Sequence, residues 1–195
     1  MENILKLLKE DELKLFDIKK VEKGNVLYQE GELCDVVGII DSGEIEIVSY
    51  TKSGGEIVFT HLKKGMMFGN NLTFSSDQQF KGNVMAVANS TIYIIKKEKI
   101  VQIFQQNTDF LLNFLKYQSD MGKTLNSQIR LLSLDRAEEK FFYYMHENGG
   151  LIKYSSITQL AAILHLQRET LSRLISKLIK EGKIVKGYHI IKILN

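Results

Sequence analysis

Residues 167–185 read QRETLSRLISKLIKEGKIV, and Arg168, Glu169 and Arg173 offer hydrogen-bond donors and an acceptor that could either read a partner or simply face water. At about 100° per residue from Arg168, Ser172 lies at about 40°, Ser176 at about 80°, Glu169 at about 100° and Arg173 at about 140°. On the same wheel Leu171, Leu174, Ile175 and Leu178 fall between about 240° and 340°. The leucine arc anchors a helix, and the polar arc is left to face outward. Arginine can donate two hydrogen bonds to guanine O6 and N7, and glutamate can accept one from cytosine N4, in a major groove wide enough for a helix. Arg168 and Glu169 stand in the first turn, the part of a recognition helix that points at base edges. The competing reading is a plain solvated face, so the neighbouring elements must decide.

Upstream, SSITQLAAILHL predicts a short helix with Ser155 or Ser156 as its cap. Ala161 lets two helices approach closely, and His165 falls in the turn between them, at a left-handed position that glycine would fill more easily. Gly182 closes the second helix, and KIV with YHIIKIL, joined at KG, predicts a terminal hairpin. A helix over 135–147 precedes this unit and stops at Gly149 and Gly150. Residues 151–195 carry a net charge of +6, whereas residues 1–150 carry −3. A small basic unit appended to a mildly acidic one points to a polyanion partner for that unit.

The remaining elements follow from periodicity. Residues 1–18 read as a short helix with Ile4, Leu5, Leu8 and Leu13 on one side. From Val21 to about Ile95 the period is two: GEIEIVSY, EIVFTHL and STIYII read as strands, and KSGGE reads as a hairpin turn in which Gly54 and Gly55 supply positive φ. Many short strands between glycine turns imply a sandwich or barrel. After Glu98 the helical period returns, with Asn107, Thr108 and Asp109 as candidate caps. Leu111, Phe114, Gln118, Met121, Leu125, Gln128 and Leu132 then follow at alternating spacings of three and four, the seam of a two-stranded dimer helix. Single Cys34 excludes an internal disulfide and a cysteine-held cluster. No apolar run reaches the ~20 residues of a membrane span and no secretory signal is evident, so a cytoplasmic protein is expected.

At this point the chain resembles a known family. VEKGNVLYQEGELCDVVGIIDSGEIEIV followed by LKKGMMFG, with glycines at 24, 31, 43, 65 and 69, is similar to the β-roll of cyclic-nucleotide-binding domains. LHLQRETLSRLISKLIKEGKIV resembles the winged helix of the CRP/FNR transcription regulators, and the likeness runs from about residue 15 to 195. It implies an α+β fold: an N-terminal double-stranded, jelly-roll-like β-roll over 1–106 that senses an effector, a dimerisation helix over 107–134, and a winged helix-turn-helix over 135–195. It further implies that Arg168, Glu169 and Arg173 read bases and that Gln167 and Thr170 contact phosphate. Thr158, Ser172, Lys177 and Lys186 complete the expected phosphate contacts. Double-stranded DNA, a second copy of the chain and RNA polymerase are the implied partners.

The ligand cassette departs from the family pattern. Cyclic AMP binders carry Phe-Gly-Glu and then Arg-Ser or Arg-Thr; here FGNN stands at 68–71, and Phe80 and Lys81 occupy the second motif. A phenyl ring cannot grip phosphate and Asn70 lacks the carboxylate, so an effector other than cyclic AMP is expected. Its expected pocket comprises Met67, Gly69, Asn70, Asn71, Phe80 and Lys81, with Thr124 and Leu125 from the long helix. An iron–sulfur cluster is excluded by the cysteine count, while His61 or Cys34 keeps haem open. Two rival classes stand beside the regulator. A cupin-like enzyme needs clustered metal ligands, and His61 is alone in the barrel; no phosphate loop and no nucleophile–base pair is present. A non-DNA interaction module is disfavoured by the basic tail and by the Arg168, Glu169, Arg173 face.

Overall fold

The computed structural model describes residues 4–51 and 53–194. A 3-10 turn, Ile4–Leu7, and a single-turn helix α1, Glu10–Leu13, open the chain. The expected continuous helix over 1–18 is thus broken, and its first three residues lie outside the described ones. The break lies at Leu8 and Lys9, where the buried Glu12 carboxylate, accepting from Lys9 N–H at 2.8 Å and from Asn107 Nδ2 at 2.9 Å, fixes the start of α1.

The strands β1 Asp17–Val21, β2 Val26–Tyr28, β3 Val36–Ser42, β4 Glu44–Tyr50, β5 Glu56–Lys63, β6 Met67–Phe68, β7 Asn83–Ala86 and β8 Ser90–Lys96 form two four-stranded antiparallel sheets. One runs β1-β8-β3-β6 and the other β2-β7-β4-β5. In β4 Ile45 and Val48 are both fully buried, the odd spacing between them taken up by the register shift between Ile47 and Val48 in the pairing with β5. Ile40, Ile45, Leu62, Phe68, Phe80 and Ile92 are among the side chains that fill the space between the sheets. Of the expected KSGGE turn, Lys52 lies outside the described residues, and Gly54 alone supplies a positive φ, 83°. The turn closes through Thr51, whose N–H donates to Gly55 O at 2.8 Å and whose hydroxyl accepts from Gly55 N–H at 2.8 Å.

Helix α2, Lys97–Gln106, ends at Asn107, and α3, Thr108–Ser133, begins immediately after it. Asn107 Oδ1 accepts from Phe110 N–H at 3.0 Å, so of the three candidate caps it is Asn107 that caps the long helix. The chain forms two compact units, residues 1–119 and 120–195, with the boundary inside α3.

The second unit contains the end of α3, then α4 Ala137–Glu147, β9 Leu151–Lys153, α5 Ile157–Ile163, α6 Arg168–Lys180, β10 Ile184–Gly187 and β11 Ile190–Ile193. A three-stranded sheet, β10-β11-β9, includes a strand that the periodicity did not predict, because three residues are too few to show one. The hairpin turns at Tyr188 and His189 rather than at Lys186–Gly187, with His189 at φ 53°. Leu171, Leu174, Ile175 and Leu178 pack with Phe141, Met145, Leu160 and Ile184. Burial of each such aliphatic side chain is worth about 1.5–3 kcal/mol, so this face holds α6 firmly in its unit. No helix among the described residues is long and apolar enough to cross a membrane.

Candidate nucleic-acid interface

Helices α5 and α6 form the helix-turn-helix. Ser156 caps α5 by accepting from Gln159 N–H at 3.1 Å. His165 takes the left-handed turn position, φ 51°, and its Nε2 lies 3.1 Å from Gln128 Oε1 on α3. Leu166 N–H donates to Ala161 O at 2.9 Å across the turn, and Ala161 is buried where the two helices approach. A histidine in this conformation is held by its surroundings rather than by its own preference.

On the outer side of α6, Arg168, Glu169, Thr170, Ser172 and Arg173 are all exposed. None of the three charged members is ion-paired among the described residues, so their donors and acceptors are open to a ligand. Gln167, which precedes the helix, and Thr158 and Lys186 are exposed as well. Ser172, Arg173, Ser176, Lys177, Lys180 and Glu181 line a shallow concavity along the helix.

Lys177 differs from its neighbours. Its Nζ lies 2.9 Å from Glu138 Oε2 on α4 and 3.7 Å from Glu181, while Lys183 reaches Glu138 at 3.2 Å and Glu181 at 2.8 Å. The hydrogen bond from Lys177, then that from Lys183, holds the Glu138 carboxyl below its ordinary range, and the same bond to Glu138 raises Lys177. Lys177 therefore ties α6 to α4.

In the first unit, the residues expected to line an effector pocket have structural partners. Phe80 is buried and stacks on Tyr28, with ring centroids 4.7 Å apart and planes 18° apart. Burial raises the Tyr28 hydroxyl above its ordinary value, with Asp35 adding to the effect. Met67 is buried and its N–H donates to the Tyr117 hydroxyl at 3.0 Å. Asn70 is buried; its side chain donates to Gln118 Oε1, and its carbonyl accepts from Gln118 Nε2 at 2.9 Å. Gly69 has φ 73°, and a Cβ there would sit 2.3 Å from the Val36 carbonyl oxygen, so only glycine fits. Asn71 is exposed, as is Lys81, which pairs with Asp77. Thr124 and Leu125 belong to the second unit and are exposed on α3.

The two residues that kept haem open are engaged too. Cys34 is fully buried with Thr73 Oγ1 3.6 Å from its sulfur, and burial pushes its thiol up. His61 lies between Glu44 at 2.9 Å and Glu46 at 3.0 Å.

The residues of the expected seam on α3 divide by burial. Phe114 is buried against Phe74 and Phe104 of its own unit, Gln118 is held by Asn70, and Gln128 by His165; Leu111 and Met121 are half-buried. The exposed apolar residues are Leu112, Leu115, Leu125, Ile129 and Leu132. Leu125 and Leu132 of the expected seam are therefore exposed, and so are Leu115, Gly122 and Ile129, each one residue beyond Phe114, Met121 and Gln128.

A β-roll, a long helix and a winged helix-turn-helix with an open arginine-bearing face define a DNA-binding transcription regulator. Residues 18–107 match the cyclic nucleotide-binding domain and residues 129–195 the Crp-like helix-turn-helix domain. The chain belongs to the CRP/FNR family, whose members are regulators and not enzymes. It is 24% identical over 177 residues to the anaerobic regulatory protein of Bacillus subtilis, covering 85% of this chain and 74% of that one. It is 20% identical over 179 residues to the cyclic AMP receptor protein of Thermus thermophilus, covering 90% and 82%. Its fold is similar to that of CooA from Carboxydothermus hydrogenoformans, with a TM-score of 0.62 at 19% identity over 100% of this chain and 91% of that one.

Proposed function

We propose that this protein is a homodimeric transcription regulator that binds a palindromic DNA site, acts in the cytoplasm with RNA polymerase, and answers to a small-molecule effector other than cyclic AMP. The observation that carries the DNA reading is the outer face of α6. Arg168, Glu169 and Arg173 are exposed and without ion pairs among the described residues, while the opposite face is locked into the core. Free arginine donors beside a free glutamate acceptor suit G·C pairs better than a uniformly basic helix would. Thr158, Gln167, Thr170, Ser172 and Lys186 surround that face as phosphate contacts. Two copies joined along α3 would present two such helices, which sets half-sites about 10–10.5 base pairs apart. The absence of a phosphate-gripping arginine near Phe80 supports an effector of different chemistry.

Selection of bound duplexes from random sequence by the full chain tests this reading. Inverted repeats with G·C positions at that spacing are expected. A recovered pool with the composition of the input would overturn sequence-specific recognition, and single half-sites would overturn the dimer.

A further inference from the structure

We propose that Lys180, and not Lys177, is the lysine through which the C-terminal half of α6 holds the phosphodiester backbone, an assignment that rests on the DNA reading above. On the helical wheel Lys180 falls at about 120°, between Ser176 and Arg173, whereas Lys177 falls at about 180°, on the border of the face. Both lysines are exposed and line the concavity with Ser172, Arg173 and Ser176, but Lys180 carries no ion pair among the described residues. The Lys177 ammonium is neutralised by Glu138 at 2.9 Å and approached by Glu181 at 3.7 Å. Turning Lys177 toward an anion would leave Glu138 with one partner, Lys183, and would loosen the joint between α6 and α4.

Distance along the helix agrees. Lys180 stands seven residues beyond Arg173, about 10.5 Å along the axis. The major groove is about 12 Å wide, so with the first turn of α6 at the base edges, the flexible stem of Lys180 reaches the groove wall, where the phosphates are. A lysine in the last turn also suits the negative end of the helix dipole. That role acts within the fold and does not release counterions from DNA, so salt dependence separates the two.

The test uses the full chain on its selected duplex, with the slope of log K against log salt measured between about 50 and 200 mM. Lys180→Gln is expected to make the slope shallower by about 0.9 for each lysine removed, hence about 1.8 for a dimer on two half-sites. Lys180→Arg is expected to keep the parent slope, and Lys177→Gln to leave it unchanged. The assignment is overturned if Lys180→Gln retains the parent slope, or if Lys177→Gln flattens it by as much. A parent chain that binds with sequence preference while ignoring Lys180 removes this assignment alone. One that binds no duplex removes the DNA reading with it.

Discussion

Asn70 and Gln118 hold each other by two hydrogen bonds, the Asn70 side-chain amide donating to Gln118 Oε1 and Gln118 Nε2 donating to the Asn70 carbonyl at 2.9 Å. The pair joins the turn after β6 to the middle of α3. It stands where the sequence pattern of a cyclic-nucleotide cassette has a glutamate.

Gln118→Leu removes both bonds and leaves the Asn70 amide, in a side chain only 6% exposed, without its partner. An unsatisfied buried group costs about 1–3 kcal/mol, so denaturant unfolding is expected to show a loss of that size. An unchanged midpoint would mean that water replaces Gln118 freely.

Phe80 fills the roll. It is 2% exposed and stacked on Tyr28, so Phe80→Ala is expected to destabilise the chain by about 3–5 kcal/mol in chemical denaturation. With an aromatic ring where the phosphate grip would stand, titration calorimetry of the parent chain with cyclic AMP is expected to give no binding heat. Low-micromolar binding would overturn this account of the cassette.

On α3, Leu115→Glu or Ile129→Glu is expected to give monomers in sedimentation, since both side chains are exposed, at 50% and 56%. Phe114→Ala is expected instead to lower thermal stability, because Phe114 packs on Phe74 and Phe104. A dimer that survives both glutamates, or one lost only in Phe114→Ala, would return the seam to its first register.

These contrasts show which parts of the molecule the residues announce by themselves. The recognition helix was legible because its two faces are chemically different: four aliphatic side chains on one arc, three charged ones on the other. The left-handed turn was legible at His165 because helix periodicity stops and restarts around it, and φ there is 51°. Which α3 column is exposed was not, because adjacent columns look alike: Phe114 beside Leu115 and Gln128 beside Ile129 preserve the same spacings. What separates them is Phe74, Phe104 and His165, distant in sequence and packed behind the helix. The ion pair of Lys177 was hidden for the same reason, its partner Glu138 lying 39 residues away. Lys180 was readable from the wheel alone, once all of the outer arc was followed to the end of the helix.

The Glu138 clamp predicts a pH window. Its folded pKa is depressed, so its contribution is present above the unfolded value of 4.5 and is lost as pH falls through the folded one. Lys177 and Lys183 are raised above 10.5, and their contribution fades only as pH rises through those higher values. Glu138→Gln is therefore expected to lower the thermal midpoint near neutral pH, with the gap to the parent narrowing as pH falls below the ordinary carboxylate range and closing once pH is below the depressed folded value. A gap that stays constant across that range would show that the carboxylate charge is not what joins α6 to α4.

Arg173 separates reading from attraction. Its guanidinium is exposed, unpaired among the described residues and, five residues beyond Arg168, at the far edge of the same polar arc, about 140° round the helix. If it donates to guanine O6 and N7, Arg173→Ala removes a bidentate contact at one base pair of each half-site. That should relax the preference there and cost about 1–3 kcal/mol against the preferred duplex. Against duplexes already altered at that pair the cost should be small, because the contact is already absent. Competition binding with four duplexes differing only at that pair measures both quantities together. A loss equal for all four would make Arg173 a phosphate contact, and would leave Arg168 and Glu169 to carry base recognition alone.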